Sequence, residues 1–324
     1  MTQSASAAMA RLRAHELVAQ DRVSRLRIVA LAPLLVSIMA ALALVLAMRG
    51  MDPARIFHLV PTSPAFWIVF ILFYLAGPLS EWVIFRRLWR LPIGGIVPLL
   101  RKLVCNELLF GYLGEAYFYA WARRRNAMSA APFDAIKDVA ILSAMSGNGV
   151  TVLLVMTIIP FIHAPELGLE YPSVLLSLCA VLVTSIAAMF LRQRIFTLPR
   201  EDLKVILCVH LFRIAVTTVL SAMLWHIVLP QVPVTQWLLL STLRLLVSRL
   251  PLIPNKDVAF AGLAVFTLGA QTSIPALMTM MASLILTVHI VLGATIVGAD
   301  LLRHFADLTD RSFRSRDELH SSQG

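Results

Sequence analysis

Six apolar runs constrain this chain more than any other feature: 28–48, 65–88, 139–162, 173–191, 205–229 and 275–298. Each comes close to or exceeds the ~20 residues that a helix needs to cross a hydrocarbon layer of about 30 Å. Inside such a layer the backbone has no water to bond, so only helices and closed barrels satisfy their own N–H and C=O groups. Composition points the same way, with 59% hydrophobic and 14% charged residues against the ~25% charged of an average soluble domain, and a mean hydropathy of +0.82. The expectation is an all-α, polytopic membrane helix bundle. Residues 1–27, mostly polar, precede the first run, which is also longer than the ~7–15 apolar residues of a signal peptide, so it reads as a retained helix.

Most of the 28 lysines and arginines fall in four places: the tail 1–27, residues 86–137, residues 192–204 and the tail 301–324. The segments 163–172 and 230–235 hold none, and 49–64 holds Arg49 and Arg55. Cytoplasmic loops are enriched in these residues, which puts both termini in the cytoplasm. The net charge of +10 follows from that bias and from anionic lipid headgroups, so no nucleic-acid partner is implied. The basic tail fits an interfacial helix and a solvated tail equally well. Cys105, Cys179 and Cys208 lie in apolar segments without C-x-x-C spacing, so they read as small buried hydrophobes.

Two further stretches, 93–123 and 236–270, are apolar but interrupted by polar residues. With both termini inside and six crossings, each must return to the side it came from: the first a re-entrant hairpin from the cytoplasm, the second from outside. The chain then divides into two halves, 28–162 and 173–298, each ordered span, span, hairpin, span and opposite in orientation. Such inverted repeats with broken elements build the central sites of many secondary transporters. "LRKLVCNELLF" (100–110) and "LRLLVSRLPLI" (243–253) align without gaps and are identical at Leu100/Leu243, Arg101/Arg244, Leu103/Leu246, Val104/Val247 and Leu109/Leu252. The expected layout is a cytoplasmic tail 1–27, a transmembrane domain 28–300 and a cytoplasmic tail 301–324.

The polar residues inside these stretches are the candidate site. In the first hairpin they are Asn106, Glu107 and Glu115, with Gly111 and Gly114 to break or tighten the turn, and a carboxylate at membrane depth is costly enough to suggest function. A structural pairing of Glu115 with Arg101 or Arg123 is the alternative. In the second hairpin, "PLIPNKD" carries Pro251 and Pro254, which cannot continue a helix, followed by Asn255, Lys256 and Asp257. Arg249 suits the bidentate recognition of a phosphate, while adjacent Lys256 and Asp257 are able to neutralise each other. Arg213 sits inside the span 205–229, one turn after His210, and cavity-facing and structural roles both stay open for it. Glu81 is expected to pair with Arg86 or Arg87, and His226 and His289 to be hydrogen-bonded packing residues. No hydrolase, kinase, P-loop, dinucleotide or metalloprotease motif occurs; the expectation is a non-enzyme with no cofactor and no metal.

The segments "IFRRLWRLPIG", "NELLFGYLGEAYFYAWARRR" and "WLLLSTLRLLVSRLPLIPNKDVAFAGLAVF" resemble the transmembrane region of the lysylphosphatidylglycerol synthase and flippase-like membrane proteins, over about residues 28–300. This chain has Asn255-Lys256-Asp257 where the family carries a glutamate after its second turn, and Phe118 where an arginine is expected, implying a changed substrate or a lost activity. The resemblance implies a bacterial inner-membrane protein that binds or translocates a phospholipid or lipid-linked headgroup, anionic in charge, without an aminoacyltransferase domain. Two other functions fit the same residues: an ion-coupled transporter of a small polar solute using Glu115, and a non-transporting partner of envelope-lipid or polysaccharide enzymes.

Overall fold

The computed structural model describes residues 60–108, 113–124, 132–158, 196–248, 255–268 and 273–321. The apolar runs 28–48 and 173–191, and Arg249, lie outside the described residues. The described residues form helices and no strand: α1 (Pro64–Trp89), α2 (Ile96–Leu108) after a 3-10 turn (Ile93–Gly95), α3 (Leu113–Arg123), α4 (Pro132–Ile158), α5 (Arg200–Val228), α6 (Val234–Val247), α7 (Lys256–Leu268) and α8 (Ser273–Ser321). The order long, short, short, long thus occurs twice.

Three segments are long and apolar enough to cross a membrane: Pro64–Trp89, Arg200–Val228 and Ser273–Ile296. In α1 and α5 only 22% of the most apolar window is buried by the rest of the protein. The exposed remainder forms apolar stripes, Ile68, Ile71, Leu72, Leu79 and Val83 on α1 and Leu207, Leu211, Val219 and Met223 on α5, at the three-, four-, seven- and eight-residue spacings that one helix face requires. Water is a poor solvent for such faces; these are the outer surfaces of a membrane protein.

α1 and α5 pack along their length and run antiparallel. Phe66 and Phe70, at the start of α1, share a core with Leu224 and Trp225 at the end of α5, whereas Ile84, Phe85 and Trp89, at the end of α1, share a second core with Ile206 near the start of α5. Arg87 bonds Asp202 at 2.9 Å at that second end. Each core receives one pair of short helices. Phe118 of α3 stacks against Phe85 and Trp89, and Trp237 of α6 and Phe260 of α7 pack on Trp225. The pair α2–α3 therefore belongs to one end of the α1–α5 couple and the pair α6–α7 to the other.

Most helix contacts respect the exchange of the first four helices with the last four, although α4 packs on α5 far more extensively than α8 on α1. α1 packs on α2 as α5 does on α6, α2 on α3 as α6 on α7, α3 on α4 as α7 on α8, and α2 on α8 as α6 on α4. Helices of 11 to 14 residues rise only ~16–21 Å, short of the ~30 Å that a crossing needs.

Several helices are longer than their apolar runs. α4 begins at Pro132 and α5 at Arg200, in polar sequence that hydropathy does not register. Asp138, wholly buried, holds that end together: its Oδ2 accepts the backbone N–H of Thr197 at 2.8 Å and of Leu198 at 2.8 Å, anchoring the approach to α5 on α4. Within α1, buried Pro78 supplies no N–H to the Tyr74 carbonyl, a gap that water-filled or protein-packed surroundings tolerate inside a membrane.

Candidate functional site

Each short helix pair carries the same electrostatic device. In the first, Lys102 of α2 faces Glu115 in the opening turn of α3, Nζ to Oε1 at 3.4 Å. In the second, Arg244 of α6 holds Asp257 in the opening turn of α7, with Nε and Nη2 both 2.7 Å from Oδ1. A carboxylate in a first turn also sits favourably against the helix dipole. In both pairs a cation of the first short helix faces a carboxylate in the opening turn of the second, although the gapless alignment sets Arg244 against Arg101 and not Lys102.

The first pair is part of a larger cluster. Lys102, with a side chain 6% exposed, donates to Glu81 of α1 at 2.7 Å as well, so one ammonium serves two carboxylates. Asn106 ties the cluster to the backbone, accepting the Gly114 N–H at 2.7 Å through Oδ1 and donating from Nδ2 to Glu115 Oε1 at 3.3 Å. Glu115 Oε2 is buried and receives no hydrogen bond. Gly114 is required by proximity and not by a turn: a Cβ there would overlap the Lys102 carbonyl oxygen and stand 2.6 Å from Asn106 Oδ1. Arg213 of α5, half-buried, donates from Nη2 to Ser143 Oγ of α4 at 3.0 Å and lies within the field of Glu81. His210, one turn away, is wholly buried.

The second pair meets the end of the first helix pair. Glu107, in the last turn of α2, lies in the electrostatic fields of Lys256, Asp257 and Arg244. Asn255, buried, adopts left-handed backbone at φ 52°, a conformation that asparagine tolerates better than most residues, and its carbonyl accepts the N–H groups of Val258 and Ala259. The Arg244 guanidinium lies 5.0 Å from the centre of the Phe73 ring. Beside it is a cavity of about 10 Å³ walled by Phe73, Trp225, Phe260 and Met281, room for about one water. Tyr74 and His289 bridge α1 to α8 nearby, Tyr Oη to Nδ1 at 2.7 Å.

Of the residues singled out from sequence, Asn106 and Glu115 come together in the first cluster, Asn255, Lys256 and Asp257 in the second, and Arg213 borders the first. Arg249 is outside the described residues. Several expected pairings are corrected. Glu81 binds Lys102, because residues five and six positions on in a helix face elsewhere; Arg86 instead packs on Trp82 at 5.0 Å and Arg87 binds Asp202. Glu115 is paired with Lys102, while Arg101 packs on Tyr117 at 5.4 Å. Asp257 is bound by Arg244, not by its neighbour Lys256. Of the two histidines, His289 is hydrogen-bonded as expected, whereas His226 is exposed. Lys102 and Arg244 went unrecognised as site residues because a lone cation in an apolar run reveals no partner; the one signal was Arg101/Arg244 identity between the two aligned segments. Among the described residues no group of three or more His, Cys, Asp or Glu side chains is arranged to hold a metal.

No family model, no curated protein and no solved structure matches this chain.

Proposed function

We propose that this is a multi-pass protein of the bacterial inner membrane, flippase-like, that binds or moves a phospholipid or lipid-linked anionic headgroup between two re-entrant hairpins, α2–α3 and α6–α7. With the apolar runs 28–48 and 173–191 added as spans, this is six crossings and two hairpins in an inverted repeat. What carries the proposal is the placement of the two short helix pairs: they belong to opposite ends of an antiparallel α1–α5 couple, yet Glu107 of one lies within the electrostatic field of Lys256 of the other. Two elements too short to cross, coming from opposite ends and carrying half-buried charges toward each other, match the arrangement by which inverted-repeat transporters build a midplane site. Arg244, Lys256 and Arg213 supply positive charge along that route, and Glu115 and Asp257 compensate it when no substrate is bound. The resemblance to lysylphosphatidylglycerol synthase and flippase-like proteins supports the lipid as cargo.

The test is reconstitution into vesicles, following fluorescent phosphatidylglycerol between leaflets beside phosphatidylcholine and the uptake of small polar solutes. The proposal predicts movement of the anionic lipid, lost in Glu115→Gln and Asp257→Asn at unchanged melting temperature. Solute uptake without lipid movement would overturn it. That result would favour an ion-coupled solute transporter, for which Glu115 Oε2, lacking a hydrogen bond, is the coupling position.

A further inference from the structure

The Arg244–Asp257 pair stands beside a cavity of about 10 Å³ where α1, α5, α6, α7 and α8 meet. Most of its wall is apolar, but three of the residues lining it are polar: Arg244, Asp257 and Ser221. A buried water needs roughly 10–15 Å³ of such space and two to four polar partners, whereas cavities that stay dry are lined by apolar groups alone. This cavity reaches the required size and has three polar residues in its wall.

Each of the three has bonding capacity left over. Both contacts of the Arg244 guanidinium, 2.7 Å from Nε and 2.7 Å from Nη2, fall on Asp257 Oδ1, so the pair itself uses neither Asp257 Oδ2 nor the other guanidinium N–H groups. Ser221, 3% exposed, donates its hydroxyl hydrogen to the Thr218 carbonyl at 2.8 Å, which leaves the lone pairs of Oγ to accept. The first helix pair meets the same need with protein atoms, because Lys102 has Glu81 of α1 in addition to Glu115. In the second, α5 brings Ser221 and a cavity in place of a second carboxylate. We propose that this cavity is a binding site for one water molecule, which accepts a hydrogen bond from Arg244 and donates to Asp257 Oδ2 and Ser221 Oγ, joining α5 to the α6–α7 pair. Three bonds are the usual number for a buried water. Hydrocarbon supplies no partner for polar groups at membrane depth, and the water keeps those left over by the ion pair satisfied. The site goes beyond the lipid-handling function and does not rest on it.

X-ray radiolysis tests this directly, since a short pulse turns a bound water into hydroxyl radical in place and methionine is among the side chains that react fastest. Met278 and Met281 of α8 line the cavity, whereas Met280, as buried as Met278 at 2% exposed, is not part of its wall. The full chain in neutral detergent is irradiated and, in a separate sample, treated with hydrogen peroxide from bulk solution; oxidation is read residue by residue by mass spectrometry. The proposal predicts radiolytic oxidation of Met278 and Met281 well ahead of Met280, and no oxidation of the three by peroxide. Ala282→Val, which adds two methyl groups to the cavity wall, is predicted to lose the radiolytic oxidation of Met278 and Met281. Equal radiolytic oxidation of the three methionines, or none, overturns the proposal. Oxidation of Met278 and Met281 by peroxide overturns it as well, because the cavity would then be a cleft open to bulk solvent, and so does undiminished radiolytic oxidation in Ala282→Val. The comparison among the three methionines is made in the unaltered protein and decides the matter even should Ala282→Val not fold.

Discussion

Gly114 shows what a single position demands here. It brings α3 against the Lys102 carbonyl so closely that a methyl group has no room, and this approach is what lets Asn106 reach both the Gly114 N–H and Glu115. Gly114→Ala is predicted to lower stability by roughly 1–3 kcal/mol or more, the usual range for overpacking. Gly77→Ala, where a Cβ meets nothing within 4 Å, is predicted to be neutral or slightly stabilising because alanine favours a helix; detergent melting of the two variants checks both. Lys102→Met leaves Glu81 and Glu115 facing each other without a cation, a change that costs about 3–5 kcal/mol in buried settings. Adding Glu81→Gln and Glu115→Gln to it is predicted to recover most of the loss, and failure to recover would show that Lys102 acts through packing alone. From sequence, Asn106 and Glu115 were legible as costly polar residues in an apolar stretch. Their partners were not, since Glu81 and Lys102 are 21 positions apart and nothing local joins them.

Among the elements, hydropathy registers what lies in hydrocarbon and stops where water begins. It located α1 almost to its ends and both stretches that hold the short helix pairs; residues 109–112 and 249–254 lie outside the described residues, and Lys256 and Asp257 of "PLIPNKD" open α7. It missed the first turn of α5 and the first two turns of α4, because Glu201, Asp202, Lys137 and Asp138 look like loop residues until their partners are known. It placed the last span at 275–298, in agreement with the apolar segment Ser273–Ile296, while the helix itself runs on to Ser321. Asp138 is the pivot of the α4–α5 end: Asp138→Ala removes the acceptor of two backbone N–H groups, of exposed Thr197 and half-buried Leu198, each such hydrogen bond being worth about 0.5–1.5 kcal/mol. The expected outcome is a clear fall in melting temperature and faster proteolysis at residues 196–199, while Asp138→Asn, which retains an acceptor oxygen, falls between. Unaltered proteolysis in Asp138→Ala would remove Asp138 as the anchor.

For the whole molecule, the antiparallel α1–α5 couple decides how the two halves relate. Helices α1 and α5 running in opposite directions, each with a short helix pair at its own end, are what the proposed inverted repeat rests on. The weak identity between residues 100–110 and 243–253 hinted at a repeat but carried no direction; direction came from which ends of α1 and α5 share a core. The membrane placement that follows is tested most directly by side-specific labelling. In a background with Cys105, Cys179 and Cys208 replaced, single cysteines at Arg90→Cys, Arg124→Cys, Gln231→Cys and Gln271→Cys are exposed to a membrane-impermeant maleimide in vesicles of known orientation. Arg90 and Arg124 flank the first hairpin, Gln231 and Gln271 the second. Re-entrant hairpins from opposite sides predict that the first two label only from the cytoplasmic face and the last two only from the outer face. Labelling of Arg90→Cys and Arg124→Cys from different faces would make the first hairpin a full crossing and contradict the account.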